Sequence, residues 1–300
     1  MSEPGWAASA AFEAIVNRLA DKMAKEYKIE REPARLQLIA ELNGDAKLRL
    51  LAANLADPAK IERSRHYKEA VTRAKRKIYY QLRRYQAPVA EPAAGLVSLP
   101  SGSNAATMEM AIRRELENHV SARERIRDMK LLYETVFKAA GAPGTVIDAG
   151  CGVQPLAYPF DGEGRATRLY VAMDKDKKAV STLNAYAKLR GDDRLKPMLW
   201  NISHGWAGAL EALGGPLFDL GFLLKVAPVV ERQEPALLDT LMTIPAKLVV
   251  ITGSRTAMAK RRSIERREKA SVARFMEKAG WEPVSEITLE EETGWIARRG

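Results

Sequence analysis

Over the first 86 positions, apolar residues recur every third or fourth place, with Phe12, Ile15, Val16, Leu19, Met23 and Tyr27 in one run and Tyr67, Val71, Ala74, Ile78, Leu82 and Tyr85 in another. That period puts each set on one side of a helix, so the N-terminal region reads as all helical. Between residues 86 and 104 the pattern stops. Pro88, Pro92, Pro100, Gly95 and Gly102 punctuate a stretch whose one charge is Glu91, which is linker composition. The expected division is a helical domain with its linker over 1–104 and a second domain over 105–300.

Beyond the linker the runs shorten. Residues 145–147, 168–173, 197–200, 218–224 and 247–252 are rich in β-formers, and several are separated by helical stretches. This alternation predicts a parallel sheet covered by helices. Residues 283–288 and 293–298 flank an acidic turn at 289–292 and predict a closing antiparallel hairpin. No internal repeat is present.

Chemistry is concentrated where the predicted strands end. The first runs into Asp148-Ala149-Gly150-Cys151-Gly152, where glycines let the backbone turn tightly and approach a ligand, and Pro155 suits a helix start. The third glycine of a dinucleotide loop and the Gly-Lys-Ser/Thr of a P-loop are both missing. The next strand ends in Asp174, followed by Lys175, and a carboxylate there can accept both hydroxyl protons of a ribose. Asn201, followed by Ile202, ends the third run and offers an amide to an adenine edge. Glycine, acid and amide on successive strand ends point to an adenosine-containing ligand, and S-adenosylmethionine suits them better than NAD.

Charge adds a second partner. The chain carries a formal net charge of +10, and two stretches hold the excess: residues 60–84 sum to +8 and residues 255–274 to +6. Solvated helix faces commonly look like this, but two segments holding the whole excess favour a polyanion such as RNA. The candidate RNA contacts are Lys68, Arg73, Lys75, Arg76, Lys77, Arg83 and Arg84, then Lys260, Arg261 and Arg262. Tyr67, Tyr79, Tyr80 and Tyr85 are interleaved with the first group.

Composition excludes other classes. A single cysteine, Cys151, cannot form an internal disulfide, and His66, His119 and His204 are too scattered for a metal site, so no metal is expected. The N-terminus lacks the basic start and apolar core of a secretory signal, and the longest apolar stretch, 220–230, contains Lys225. These features lead to the expectation of a soluble, cytoplasmic protein without a membrane partner, a monomer by default.

Three sequence blocks are more specific. Asp148-Ala149-Gly150-Cys151-Gly152-Val153-Gln154-Pro155-Leu156-Ala157 resembles the Asp-x-x-Cys-Gly-x-x-Pro-Leu-Ala signature of the aminoglycoside-resistance 16S rRNA guanine-N7 methyltransferases, the Arm/Rmt group. His119-Val120-Ser121-Ala122-Arg123-Glu124-Arg125 is similar to that family's His-x-Ser-Thr-x-Glu-Arg element, and Phe222-Leu223-Leu224-Lys225-Val226-Ala227-Pro228 to its Phe-Leu-Leu-Lys-x-Leu-Pro run. The resemblance implies a Rossmann-like class I methyltransferase with a seven-stranded sheet, an N-terminal helical rRNA-recognition domain and S-adenosylmethionine as cofactor. It also implies methylation of guanine 1405 at N7 in the small ribosomal subunit, and through it aminoglycoside resistance. After Val249-Val250-Ile251 the chain departs from the family, with Thr252-Gly253-Ser254-Arg255 where Phe-Pro and a glycine-rich loop are usual.

Under this reading Arg125, or Arg123, holds the carboxylate of the methionine end through paired hydrogen bonds. The 148–152 loop cradles the cofactor with Asp148, Gly150 and Gly152, and Leu224 borders it at the end of the fourth strand. Lys225 and Arg255 are candidates for positioning the substrate. No catalytic base is assigned, because guanine N7 carries an unprotonated lone pair and methyl transfer to it needs alignment and desolvation, not deprotonation. Ser121-Ala122-Arg123-Glu124 reads as a capping box opening a helix. Trp206 is expected to pack in the interior. The alternatives are a methyltransferase acting on another rRNA or tRNA position and a non-catalytic RNA-binding relic.

Overall fold

The computed structural model describes residues 10–27, 30–54, 58–82, 95–100, 102–256 and 263–300. The chain divides into two compact units, Met1–Gln86 and Ala87–Gly300.

The first unit contains α1 (Ala10–Tyr27), α2 (Arg31–Gly44), α3 (Ala46–Asn54), α4 (Pro58–Arg63) and α5 (Arg65–Leu82). Its core is the predicted pair of stripes, Phe12, Ile15, Val16 and Met23 from α1 and Tyr67, Ala74 and Ile78 from α5, closed by Leu38 and Leu42 of α2. The side chains of Tyr27 and Leu82, and the whole of Tyr85, lie outside the described residues.

In the second unit, α6 (Ala105–Asn118), α7 (Val120–Arg125) and α8 (Met129–Ala140) precede β1 (Thr145–Ala149). Then follow β2 (Leu169–Asp174), α9 (Lys177–Arg190), β3 (Leu195–Leu199), α10 (Ala207–Leu213), β4 (Phe218–Leu224), α11 (Val226–Gln233), α12 (Leu238–Met242), β5 (Ala246–Ser254), α13 (Glu265–Ala279), β6 (Trp281–Thr288) and β7 (Glu292–Arg299). The sheet has the expected seven strands, and their order is β3-β2-β1-β4-β5-β7-β6. The first five run parallel, and β7 lies antiparallel between β5 and β6. The strand order reverses beside β1, and ligands bind at such a crevice.

Alternation along the strands fills both faces. Val146, Tyr170, Ala172, Leu220, Phe222 and Val250 pack beneath α6, α8 and α9, while Ile147, Val171, Met173, Leu223, Val249 and Ile251 pack beneath Val272, Phe275 and Met276 of α13. The closing hairpin is longer than predicted, and its register shifts between Pro283 and Ser285, where proline has no N–H to give to the ladder.

Two local expectations change. The linker does not extend to residue 104, because Leu96 is buried with Ala111 and Leu116 in the second unit's core, and the division falls at Gln86. No long helix follows the glycine loop. Gln154–Ala157 forms a short 3-10 turn, after which Pro159, Gly162 and Gly164 prevent helical continuation. Among the described residues no helix is long and apolar enough to cross a membrane.

Candidate functional site

The glycine loop leaves β1 at the C-terminal edge of the sheet. Gly150 and Gly152 have φ of 73° and 54°, and a Cβ would lie 2.8 Å from Val226 Cγ2 at the first and 2.5 Å from His119 Cε1 at the second. Both the backbone conformation and the packing therefore demand glycine. β2 pairs directly with β1, which brings Asp174 beside the loop. Its Oδ2 accepts the Gly152 N–H at 2.7 Å and its Oδ1 the Asp176 N–H at 2.8 Å. The carboxylate thus has a fixed orientation at the loop, and a carboxylate is the kind of group that accepts from a diol.

Asp148 is buried under this loop and accepts the Tyr170 hydroxyl at 2.8 Å. Burial pushes its carboxyl up to about 7, against the opposing pull of that hydrogen bond and of Arg125. Burial also holds the imidazole of His119 down at about 4, with Asp176 opposing, and pushes the Cys151 thiol well above its ordinary range, which makes it a poor nucleophile.

The sign for Asp148 follows directly. The folded state binds more protons than the unfolded chain between about pH 4 and 7, so this group's contribution to stability falls as pH rises through that window and is constant above it. His119 works in the opposite direction between about pH 4 and 6.5, where the unfolded chain binds the extra proton. Comparison with Asp148→Asn cancels the histidine. The urea midpoint of Asp148→Asn relative to the native chain is expected to rise from pH 4 to pH 8, by up to a few kcal/mol in stability; a constant difference across the range contradicts the assignment.

A second group of polar side chains converges at the ends of β4 and β5. Arg125 is buried, donating from Nε to Glu292 Oε1 and from Nη1 to Gln154 Oε1 at 2.8 Å. Gln154 in turn donates to the Tyr133 hydroxyl at 3.0 Å. Lys225, with φ of 64°, is the one non-glycine residue in left-handed conformation among the described residues. A lysine held so costs about 1 kcal/mol. Its backbone N–H is fixed by Thr252, and its Nζ ends 2.5 Å from Glu124 and 3.1 Å from Glu292.

These contacts revise several expectations. Lys225, expected to face substrate, is instead bound here between two carboxylates with its side chain only 12% exposed. Arg255 is also engaged, with Glu265 at 3.1 Å and the carbonyl of Leu289 at 2.8 Å, which ties the residue after β5 to the turn of the closing hairpin. The capping box does not form: α7 begins at Val120 with His119 as its N-cap, Ser121 bonds the His119 ring at 3.1 Å, and Glu124 goes to Lys225. Of the two arginine candidates, Arg123 is exposed and Arg125 lies inside the site. Asn201 is exposed, and its Oδ1 accepts the Ser203 N–H at 3.1 Å, capping a short turn that contains Ile202. Leu224 is buried at the edge of β4, and Lys175 follows Asp174. Trp206 stacks on Trp200 with centroids 4.9 Å apart and donates to the Thr240 carbonyl, which is an interior role.

The signal that sequence reasoning missed is Glu292. It looked like one more acid in a turn, but β7 runs antiparallel to β5, pairing Glu292 with Ser254, so its first residue arrives at the edge where the parallel strands finish.

In the first unit, α5 turns Tyr67, Ala70, Ala74 and Ile78 inward and leaves Arg65, Lys68, Arg73 and Lys77 exposed. Arg63, Arg65, Lys68, Glu69, Thr72 and Arg73 line an open depression of about 610 Å³. Arg73 is paired with Asp45 at 2.5 Å and Lys77 with Glu41 at 2.6 Å, whereas Arg63 and Lys68 have no ion-pair partner among the described residues. Lys75 is partly buried and nothing is described of the Arg76 side chain; Arg83, Arg84, Lys260, Arg261 and Arg262 lie outside the described residues.

The chain is 31% identical over 125 residues to a 16S rRNA (guanine(1405)-N(7))-methyltransferase of Micromonospora echinospora, covering 41% of this chain and 42% of that one. It is 29% identical over 169 residues to the protein of the same name from Frankia casuarinae, covering 55% and 57%. The matched region is thus about half the length of these curated relatives. The fold is similar to the crystal structure of the 16S rRNA methyltransferase RmtF in complex with S-adenosyl-L-homocysteine, at 19% identity and a TM-score of 0.55, covering 89% of this chain and 98% of that one. A family model described as ribosomal RNA methyltransferase (FmrO) matches residues 52–293, and the chain belongs to that family.

Proposed function

We propose that the protein is an S-adenosylmethionine-dependent methyltransferase that modifies N7 of guanine 1405 of 16S rRNA within the small ribosomal subunit. The observation that carries the cofactor assignment is the Asp174 carboxylate bonded to the Gly152 N–H beside a glycine loop at the strand-order reversal. The target nucleotide is the one named for the relatives from Micromonospora echinospora and Frankia casuarinae.

The residues present fit the cofactor. Asp174 is placed to accept the ribose hydroxyls, and Gly150 and Gly152 let the backbone come close. The buried Arg125 is suited to a carboxylate, with Leu224 bordering the site and Asn201 at its rim. When bound, S-adenosylmethionine supplies a methyl group on a sulfonium. The protein's own part is to bind, orient and exclude water, since N7 has no proton to remove. The exposed cations of the first unit are suited to the phosphates of folded rRNA, which are read by shape and charge. A cytoplasmic enzyme fits this substrate, and methylation at the site is expected to protect a host from aminoglycosides.

The test is transfer of labelled methyl from S-adenosylmethionine to intact small subunits, free 16S rRNA and tRNA in parallel, followed by mapping of the modified nucleotide. Label at N7 of guanine 1405 in intact subunits is expected. Label at another position keeps the enzyme class and rejects the target. Cofactor binding without transfer to any of the three substrates favours an RNA-binding relic.

A further inference from the structure

Four charges meet at one edge of the sheet: Glu124 and Arg125 from α7, Lys225 after β4, and Glu292 at the start of β7. Glu292 is fully buried and both of its oxygens are engaged, Oε1 by Arg125 and Lys225 and Oε2 by the Thr252 hydroxyl at 2.7 Å. Burial alone would raise its carboxyl, but the two cations and the hydroxyl hold it below the usual carboxylate range. A buried ionic cluster is a poor device for stability, because desolvating the charges offsets most of their attraction. What this one achieves is orientation.

Arg125 has five guanidinium donors, of which Nε serves Glu292 and Nη1 serves Gln154, whose own backbone lies just beyond the glycine loop. The Nη2 donors have no partner among the described residues. An arginine tied at Nε and Nη1 has its rotamer fixed before any ligand arrives, which lowers the ordering cost of binding an anion. We propose that Glu292 is a positioning residue that holds Arg125 ready for the carboxylate at the amino-acid end of the cofactor, and so sets affinity for that end alone. This rests on the cofactor reading above.

Two probes separate the amino-acid end from the rest. S-adenosylhomocysteine carries adenosine, thioether and amino acid, whereas 5′-methylthioadenosine keeps the first two and lacks the third. With the full chain in titration calorimetry, Glu292→Gln is expected to weaken S-adenosylhomocysteine by roughly 10- to 100-fold, the worth of one charge-assisted hydrogen bond, and to leave methylthioadenosine within about twofold. In an Arg125→Met background the same change is expected to cost nothing further, because the group it positions is gone.

Unchanged affinity for S-adenosylhomocysteine overturns the proposal, as does an equal loss for both probes. Should Glu292→Gln not fold, Thr252→Val removes the hydroxyl on Oε2 while keeping every charge, and a selective loss of roughly threefold or more for S-adenosylhomocysteine is expected; no selective loss overturns the proposal. A native chain that binds neither probe defeats the cofactor reading itself, an outcome distinct from the failure of Glu292.

Discussion

Asp174→Ala is expected to weaken S-adenosylhomocysteine and 5′-methylthioadenosine together, each by roughly 100-fold or more, while the far-UV circular dichroism of the chain stays native. Two losses add. A ribose diol on a carboxylate makes charge-assisted hydrogen bonds of about 1.5–3 kcal/mol each, and Asp174 also holds the glycine loop through Gly152 N–H at 2.7 Å and Asp176 N–H at 2.8 Å. Asp174→Asn is expected to fall between native and Ala, since one oxygen becomes a donor facing a backbone N–H. Because both probes contain ribose, their joint loss differs from the selective loss expected at Glu292. Affinity for either probe within about threefold of native would remove Asp174 from the site.

The fold was legible because periodicity records burial. The stripes on α1 and α5 face one core, and the alternating strands 146–147 and 171–173 fill both faces of the sheet. What escaped was local. Leu96, with Leu99 packed against the same core, ties residues 95–100 of a linker-like stretch to the second unit, and the prolines and glycines after Ala157 stop a helix that a favourable Pro155 had suggested.

The site was half legible for the same kind of reason. Gly150, Gly152 and Asp174 end neighbouring parallel strands, so their meeting follows from strand order. Sequence counts charges but does not assign their partners. Lys225 and Arg255 looked available to substrate, yet each is held by acids or carbonyls far along the chain. Glu292 is 167 residues from Arg125, and only the antiparallel insertion of β7 beside β5 explains why they touch.

The same lesson reorders the basic stretch of α5. Of its cations, Arg73 and Lys77 already neutralise Asp45 and Glu41, while Arg65 pairs, among the described residues, with Glu69 one turn on and stays 87% exposed. Exposed helical pairs of that kind are worth about 0.3–0.5 kcal/mol and yield readily to a phosphate. Arg63, Arg65 and Lys68 are therefore the cations of the depression with most charge to give. Replacing all three by Gln is expected to weaken binding to small subunits by roughly 100-fold near physiological salt. The slope of log affinity against log salt should fall by about 2 to 3, since each lost phosphate contact stops releasing close to one counterion. Arg73→Gln with Lys77→Gln is expected to change the slope less and to lower the melting temperature, because it strands Glu41 and Asp45 without their partners. Filter binding across a salt series reads both variants. A triple variant whose slope matches the native chain places the rRNA contact elsewhere on the protein, and the reverse ranking of the two variants shows that the paired cations exchange their carboxylates for phosphates on docking.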